Sequence, residues 1–504
     1  MTAILETTVL KGAHVIDPAN GIDRITDIMI HDGRIAAVGD ALDAENASII
    51  DLKGKYVTPG WIDMHVHAYG TLGFADPDTV GVYHGVTSFV EAGGPGIGTL
   101  DEFFALMTDL ETDLYVGPFI RPLGLLGLNF IEGDVRTLGD VPITRWVDTA
   151  KQHKDRIRYI KCNAMGDYGP GTLNVTKGLA QILGVPLYMH IGEFQLQTPD
   201  PVLAYEAFRI AEKGDMITHI YHGNLGQIID ENGKIMPVVK DALERGVIFD
   251  LGFGGYNFSW DVAEKAFAQG IVPHTISSDL QQFNVVRPAK SLANVLSIMM
   301  HLGMPLKQII EAVTINSAKA ISLTDRAGDL SVGKPADVTV FEIEEGQFEL
   351  SDCFTQTRTA NKRFVPKMTF KNGKRFDVDM DLGQNEANWF LQIAEDHIPE
   401  AGAALSDRQR AFLGSLGGAL SNVDWELSSA ERLDIPKALE LQALFHRVRE
   451  ENDLPLREAL RAVYDSFVDS KFTMQIGLFL MRIERPLALS RMAEMAGKRP
   501  HMAA

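Results

Sequence analysis

Cysteine is scarce: two residues in 504, Cys162 and Cys353, exclude a disulfide framework and fit a reducing compartment. Long apolar runs are missing as well. No uninterrupted stretch reaches transmembrane length, and the opening MTAILETTVL lacks the basic region and apolar core of a secretory signal, so a cytoplasmic protein with no membrane partner is expected. Positive charge is also short. Forty-seven Lys and Arg against 67 Asp and Glu leave a formal net charge of −20. Such a surface repels polyanions at long range, which argues against nucleic acid as a partner.

What remains is ample for folded domains. Hydrophobic residues make up 45% of the chain, and its length suits a barrel-sized domain with one or two smaller ones. Short β-runs around tight turns occupy both flanks of the first 380 residues. Asp32-Gly33 lies between alternating apolar positions near the start, and Asn372-Gly373 interrupts KMTFKNGKRFDV. Residues 1–57 and 327–384 are therefore expected to form one small β-sandwich domain, with residues 58–326 inserted as a unit of their own. Residues 385–504 read as a helical extension, a lid or an oligomerisation element, with apolar stripes Leu441, Leu444, Phe445, Val448 and Leu456, Leu460, Val463, Phe467. A homo-oligomer is expected.

The insertion carries eight β-rich runs, WIDMHVH, VTSFVEA, LYVGPFIRP, IRYIKCN, VPLYMHI, DMITHI, VIFDLGF and VPHTISSD, with amphipathic stretches between several of them. This alternation predicts an α/β fold, a (β/α)8 TIM-type barrel. In such a barrel, reactive side chains sit at the C-terminal ends of the strands. His65 and His67 end the first run, and Lys161, His190, His219 and Asp279 follow at or near the ends of the fourth, fifth, sixth and eighth, the last four separated by 29, 29 and 60 residues. Strand geometry sends His65 and His67 the same way, about 7 Å apart, and leaves Ile62, Met64 and Val66 for the surrounding helices. Each residue alone has a plainer reading: a core histidine, a snorkelling lysine, an aspartate capping a helix. Their joint recurrence at one end of successive strands favours metal ligation. Five nitrogen and oxygen ligands are generous for one ion and sufficient for two. Lys161, buried among cations, would lose its proton readily, and a neutral amine can add carbon dioxide to give a bridging carbamate.

PGWIDMHVH, YIKCN, MHIGE, THIYHG and ISSDL resemble the binuclear metal motifs of the amidohydrolase superfamily, in its lysine-bridged, dihydroorotase-like branch, with the nearest likeness to its amidohydrolase/deacetylase metallohydrolases over roughly residues 5 to 380. The resemblance implies that His65, His67 and Asp279 hold one divalent metal, that His190 and His219 hold the other, and that Lys161 bridges them as N6-carboxylysine. Zinc is the expected ion. Phe253 stands where that branch often has a histidine, and QQFNVV after Asp279 is less polar than usual. Both departures bear on substrate rather than on metal. The implied reaction is hydrolysis of an amide, cyclic amide or ester of a small molecule by a metal-bridging hydroxide, with Asp279 as general base. A mononuclear deaminase and a non-enzymatic barrel scaffold are the alternatives. Substrate contacts are sought at Arg121, which could instead form an interloop or surface salt bridge, and at His222, Tyr168 and Arg287; for His222 a loop-ordering role is preferred. Glu193 is assigned to orienting a ligand, and Cys162 to inert packing on the opposite face of its strand.

Overall fold

The computed structural model describes residues 7–43, 45–69, 76–125, 141–165, 169–193, 203–282, 284–381, 391–427, 434–469 and 474–497. Among these, no helix is long and apolar enough to cross a membrane.

Both flanks of the first 380 residues meet in one eight-stranded sheet. Strands β1 (Thr7–Asp17), β2 (Ile22–His31), β3 (Arg34–Gly39), β4 (Ser48–Asp51) and β5 (Tyr56–Pro59) join β13 (Val338–Ser351), β14 (Thr357–Lys371) and β15 (Lys374–Asp377), with β5 pairing β13 antiparallel. The alternation legible in the sequence does the work here. Leu10, Val15, Ile28, Ile30, Val57, Val338, Val340 and Phe370 share one buried cluster. The two expected hairpin turns are present, with positive φ at Asp32 (49°), Gly33 (71°), Asn372 (49°) and Gly373 (79°), as a turn matched to the right-handed twist of its strands requires.

Between these flanks run two parallel sheets. One contains β6 (Trp61–Val66), β7 (Val86–Glu91) and β8 (Asp113–Val116); the other contains β9 (Ile160–Asn163), β10 (Leu187–His190), β11 (Met216–Thr218) and β12 (Ile248–Phe249). Single parallel bridges connect them: Val116 to Ile157, Asp250 to Thr275 and Val66 to Leu280. The eighth run, VPHTISSD, is thus not a regular strand. It reaches its neighbours through isolated bridges and leaves extended geometry at Asp279, where φ is 48°.

Alternation along these strands separates two environments. Ile160, Cys162, Leu187, Met189, Ile217 and Phe249 pack with helix residues such as Trp146, Leu179, Phe208 and Trp260. Tyr159, Tyr188 and Met216 gather on the other side. Ile62 and Met64 share a buried cluster with Ala318 and Ala320 of the helix Ile315–Ala320, while Val66 packs in the larger cluster. The register between β6 and β7 shifts twice, between Trp61 and Ile62 and between Asp63 and Val66, so the ladder is interrupted on the strand that leads to the two histidines.

The helical segments beyond residue 434 pack onto this body. Leu441, Leu444, Phe445, Val448, Leu460, Val463 and Phe467 are buried, and Leu456 is partly so. The buried Glu102, in the helix Leu100–Leu106, accepts hydrogen bonds from Gln442 Nε2 (2.6 Å), His446 Nε2 (3.0 Å), the Ile476 amide (3.2 Å) and the Tyr69 hydroxyl (3.5 Å). One carboxylate therefore ties the extension to the chain two residues past His67.

A second buried polar group gives the fold an acid-sensitive point. Burial pushes His84, on the turn Val82–His84, down to about 4, and Asp379 offsets this only in part. A histidine depressed in the folded state binds protons more tightly once unfolded. Stability is therefore intact above about pH 6.5 and falls as pH drops towards 4, by roughly 3 kcal/mol in full. Replacing His84 with Leu should shrink the loss in urea midpoint between about pH 7.5 and 4.5. Equal losses in variant and wild type would refute this.

Candidate metal centre

Six polar side chains of the apolar strands converge. His65 lies on β6 and His67 one residue past it, Lys161 lies on β9, His190 ends β10, His219 follows β11 and Asp279 follows the bridge at Thr275; all are buried. Ligand atoms of His65, His67 and Asp279 lie within 4.8 Å of one another. Asp279 Oδ1 is 3.3 Å from His65 Nε2 and 3.1 Å from His67 Nε2. Lys161 Nζ is 3.2 Å from His65 Nε2. The His219 ring lies 4.2 Å from that of His190 and 5.2 Å from that of His65, centroid to centroid.

The protonation states follow from burial and charge. Burial, reinforced by Lys161 and by neighbouring imidazoles, holds His65, His190 and His219 well below the usual histidine range, so each is a neutral donor. Burial also acts against the charged form of His67, but bonds to Asp279 and Glu91 outweigh it and raise His67 to about 9. Burial lowers Lys161 to about 8, with Asp279 and Asp250 opposing.

The donor set fits divalent cations. His219 Nδ1 bonds the Gly252 carbonyl at 2.6 Å, which fixes its proton there and leaves the buried Nε2 with no hydrogen-bond partner among the described residues. Neutral imidazole nitrogens, a carboxylate and an amine of lowered basicity share one buried space, and the positive charge facing Asp279 comes from His67 and Lys161. Nitrogen and carboxylate ligands of this kind suit zinc and similar ions.

Several residues that serve this cluster escaped the sequence reading. Glu91, at the end of β7, lies 3.4 Å from His67 Nδ1 and accepts the amides of Ala68 and Gly94. Gln281 Nε2 donates to Asp279 Oδ1 at 2.8 Å, and Asn257 Nδ2 to Oδ2 at 3.3 Å. Asp63 accepts the amides of His65 and Ser278, tying the first strand to the segment that carries Asp279. Glu91 had a signal, a carboxylate ending VTSFVEA; the loop amides had none.

The candidate substrate residues separate. Arg121 is 1% exposed, with its guanidinium carbon 5.4 Å from the Phe119 ring centroid, so it lies off the surface. His222 is buried and its Nδ1 accepts the Asn224 amide at 3.2 Å, a loop-ordering bond. Arg287 is exposed. Tyr168 lies outside the described residues. The Glu193 amide bonds the Leu225 carbonyl at 3.1 Å. Cys162 is buried against the helices, and burial pushes its thiol up to about 12.

Comparison with known proteins gives a consistent picture. The profile of the amidohydrolase family matches residues 197–376. A deacetylase of Agrobacterium fabrum is 33% identical over 352 residues, covering 68% of this chain and 84% of the relative. Two solved structures, one an adenine deaminase and the other a dihydroorotase, each align at TM-score 0.67 and 29% identity over 74% of this chain, covering 100% and 98% of their own lengths.

Proposed function

Because this chain belongs to the amidohydrolase superfamily, we propose that it is a metal-dependent hydrolase cleaving an amide, cyclic amide or ester bond of a small molecule. The observation that carries the reading is the buried convergence of His65, His67 and Asp279 within reach of one ion. The adjoining His190 and His219 rings, and Lys161 beside His65 with its amine of reduced basicity, support a second ion and N6-carboxylation of Lys161. The single bridges that join the two parallel sheets support a closed (β/α)8 barrel over residues 58–326, with residues 1–57 and 327–384 as a small β-sandwich domain. The deacetylase relative favours an acyl group as the part released.

When bound, divalent cations of the zinc type bring the acidity of a water towards neutrality and polarise a substrate carbonyl. The chain supplies the rest. Asp279 takes a proton from the water as it adds to the carbonyl carbon and returns that proton to the leaving nitrogen or oxygen as the C–N or C–O bond breaks. Gln281 and Asn257 hold one carboxylate oxygen each, which fixes the plane of that exchange.

A mononuclear deaminase is the second reading, favoured by the adenine deaminase structure whose whole length is matched by 74% of this chain. Metal analysis alongside a screen of N-acyl amino acids, cyclic imides, lactones and acylated hydroxy acids separates the two. About two ions per chain with hydrolysis of a member of that screen is the expected result. About one ion with ammonia release from adenine favours the deaminase. Protein that binds no metal and hydrolyses nothing in the screen refutes both.

A further inference from the structure

Beneath the cluster lies a set of hydroxyl groups that the proposed chemistry does not use. Asp250, fully buried just past β12, accepts four hydrogen bonds: Tyr188 (2.7 Å), Thr218 (2.8 Å) and Ser277 (2.6 Å) on Oδ2, and Thr275 (2.7 Å) on Oδ1. The Tyr188 oxygen is also 2.9 Å from His65 Nδ1, and the Thr218 oxygen is 3.4 Å from the same atom. Each hydroxyl has one proton, and each gives it to Asp250. Towards His65 both oxygens can then only accept.

We infer that Tyr188 and Asp250 are positioning residues that fix the tautomer of His65, holding its proton on Nδ1 so that the Nε2 lone pair, beside Asp279 and Lys161, is free for an ion. The inference rests on the metal reading above. Its logic is local: a carboxylate that takes every hydroxyl proton orients the phenol, the phenol orients the imidazole, and the imidazole is left with one nitrogen to offer an ion. The donors come from β10, from β11 and from the segment around Thr275 and Ser277, so the relay reports the assembly of three neighbouring segments to a single ligand. Tyr188 also lays its ring against Lys161, with Nζ 4.4 Å from the centroid. Loss of the hydroxyl alone leaves that packing in place.

Tyr188→Phe removes one oxygen and nothing else. Zinc affinity, measured by competition with a chelator on protein stripped of metal, should fall about 10- to 100-fold. The His65 ring nitrogens, followed by 15N resonances of histidine-labelled protein and assigned by their absence in His65→Gln, should lose the single Nδ1-protonated form. Tyr159→Phe is the control. Its hydroxyl donates to the Met64 carbonyl at 2.8 Å and its ring lies 4.5 Å from that of Tyr188, and among the described residues it makes no hydrogen bond to the six converging side chains. It should cost stability and leave zinc affinity unchanged. Zinc binding by Tyr188→Phe that matches Tyr159→Phe, or metal-free wild type with the His65 proton on Nε2, overturns the inference and leaves the metal reading standing. Wild type that takes up no zinc overturns the metal reading instead.

Discussion

Asp279→Asn should lower kcat roughly a hundred- to ten-thousandfold, the span that general acid–base groups contribute, and should change KM far less. The substitution keeps the size of the side chain and an oxygen, and removes the negative charge and the basic lone pair together. In the wild type that carboxylate lies within 3.3 Å of His65 Nε2 and 3.1 Å of His67 Nε2 and is held by Gln281 and Asn257. An interaction made chiefly in the transition state shows itself as equal losses in kcat and kcat/KM. Metal content measured on the same sample separates loss of an ion from loss of proton transfer. Turnover within tenfold of wild type, with ions retained, would dismiss Asp279 as the base.

The convergence of these six side chains was legible because it follows a rule of the chain. Polar residues at the ends of apolar strands, recurring with the period of strand and helix, have few places to go except one shared mouth, and His65, His67, Lys161, His190, His219 and Asp279 do lie in one buried group. Tyr188 carried a signal of the same kind, two residues before His190 on one strand and hence on the same face. It went unread because a tyrosine in an apolar run passes for core. Asp250 and Glu91 were likewise visible as strand-end carboxylates. What the sequence could not reveal depends on backbone turns of the loops. Asn257 and Gln281 approach Asp279 from two separate loops, and His219 and Asp279 adopt positive φ of 68° and 48°, conformations that no residue pattern announces for a histidine or an aspartate.

Gly254→Ala should reduce kcat/KM by about a hundredfold, the scale of loss expected when a reacting group is displaced by about 1 Å. A Cβ at this position would lie 2.4 Å from Asp279 Oδ2 and 2.7 Å from Asn257 Nδ2, between two atoms that now share a hydrogen bond. Neither neighbour is a free-swinging chain end. Asp279 is also held by Gln281, and the Gly254 amide is bonded to the Ser278 carbonyl at 3.0 Å, one residue before Asp279. The added carbon must therefore push the carboxylate away from the histidines or spread the loop that carries Asn257. Backbone strain comes with it, because φ is +65°, and an L-residue in that region costs about 1–2 kcal/mol. Gly270→Ala separates the two effects: its φ is +80° with nothing within 4 Å of the added carbon, so it carries the strain without the collision. Gly254→Ala should lose more thermal stability than Gly270→Ala, by the added cost of the collision, while catalysis should fall in Gly254→Ala alone. Wild-type kcat/KM in Gly254→Ala would mean that the carboxylate can move without consequence, and that the reacting proton does not pass through Asp279.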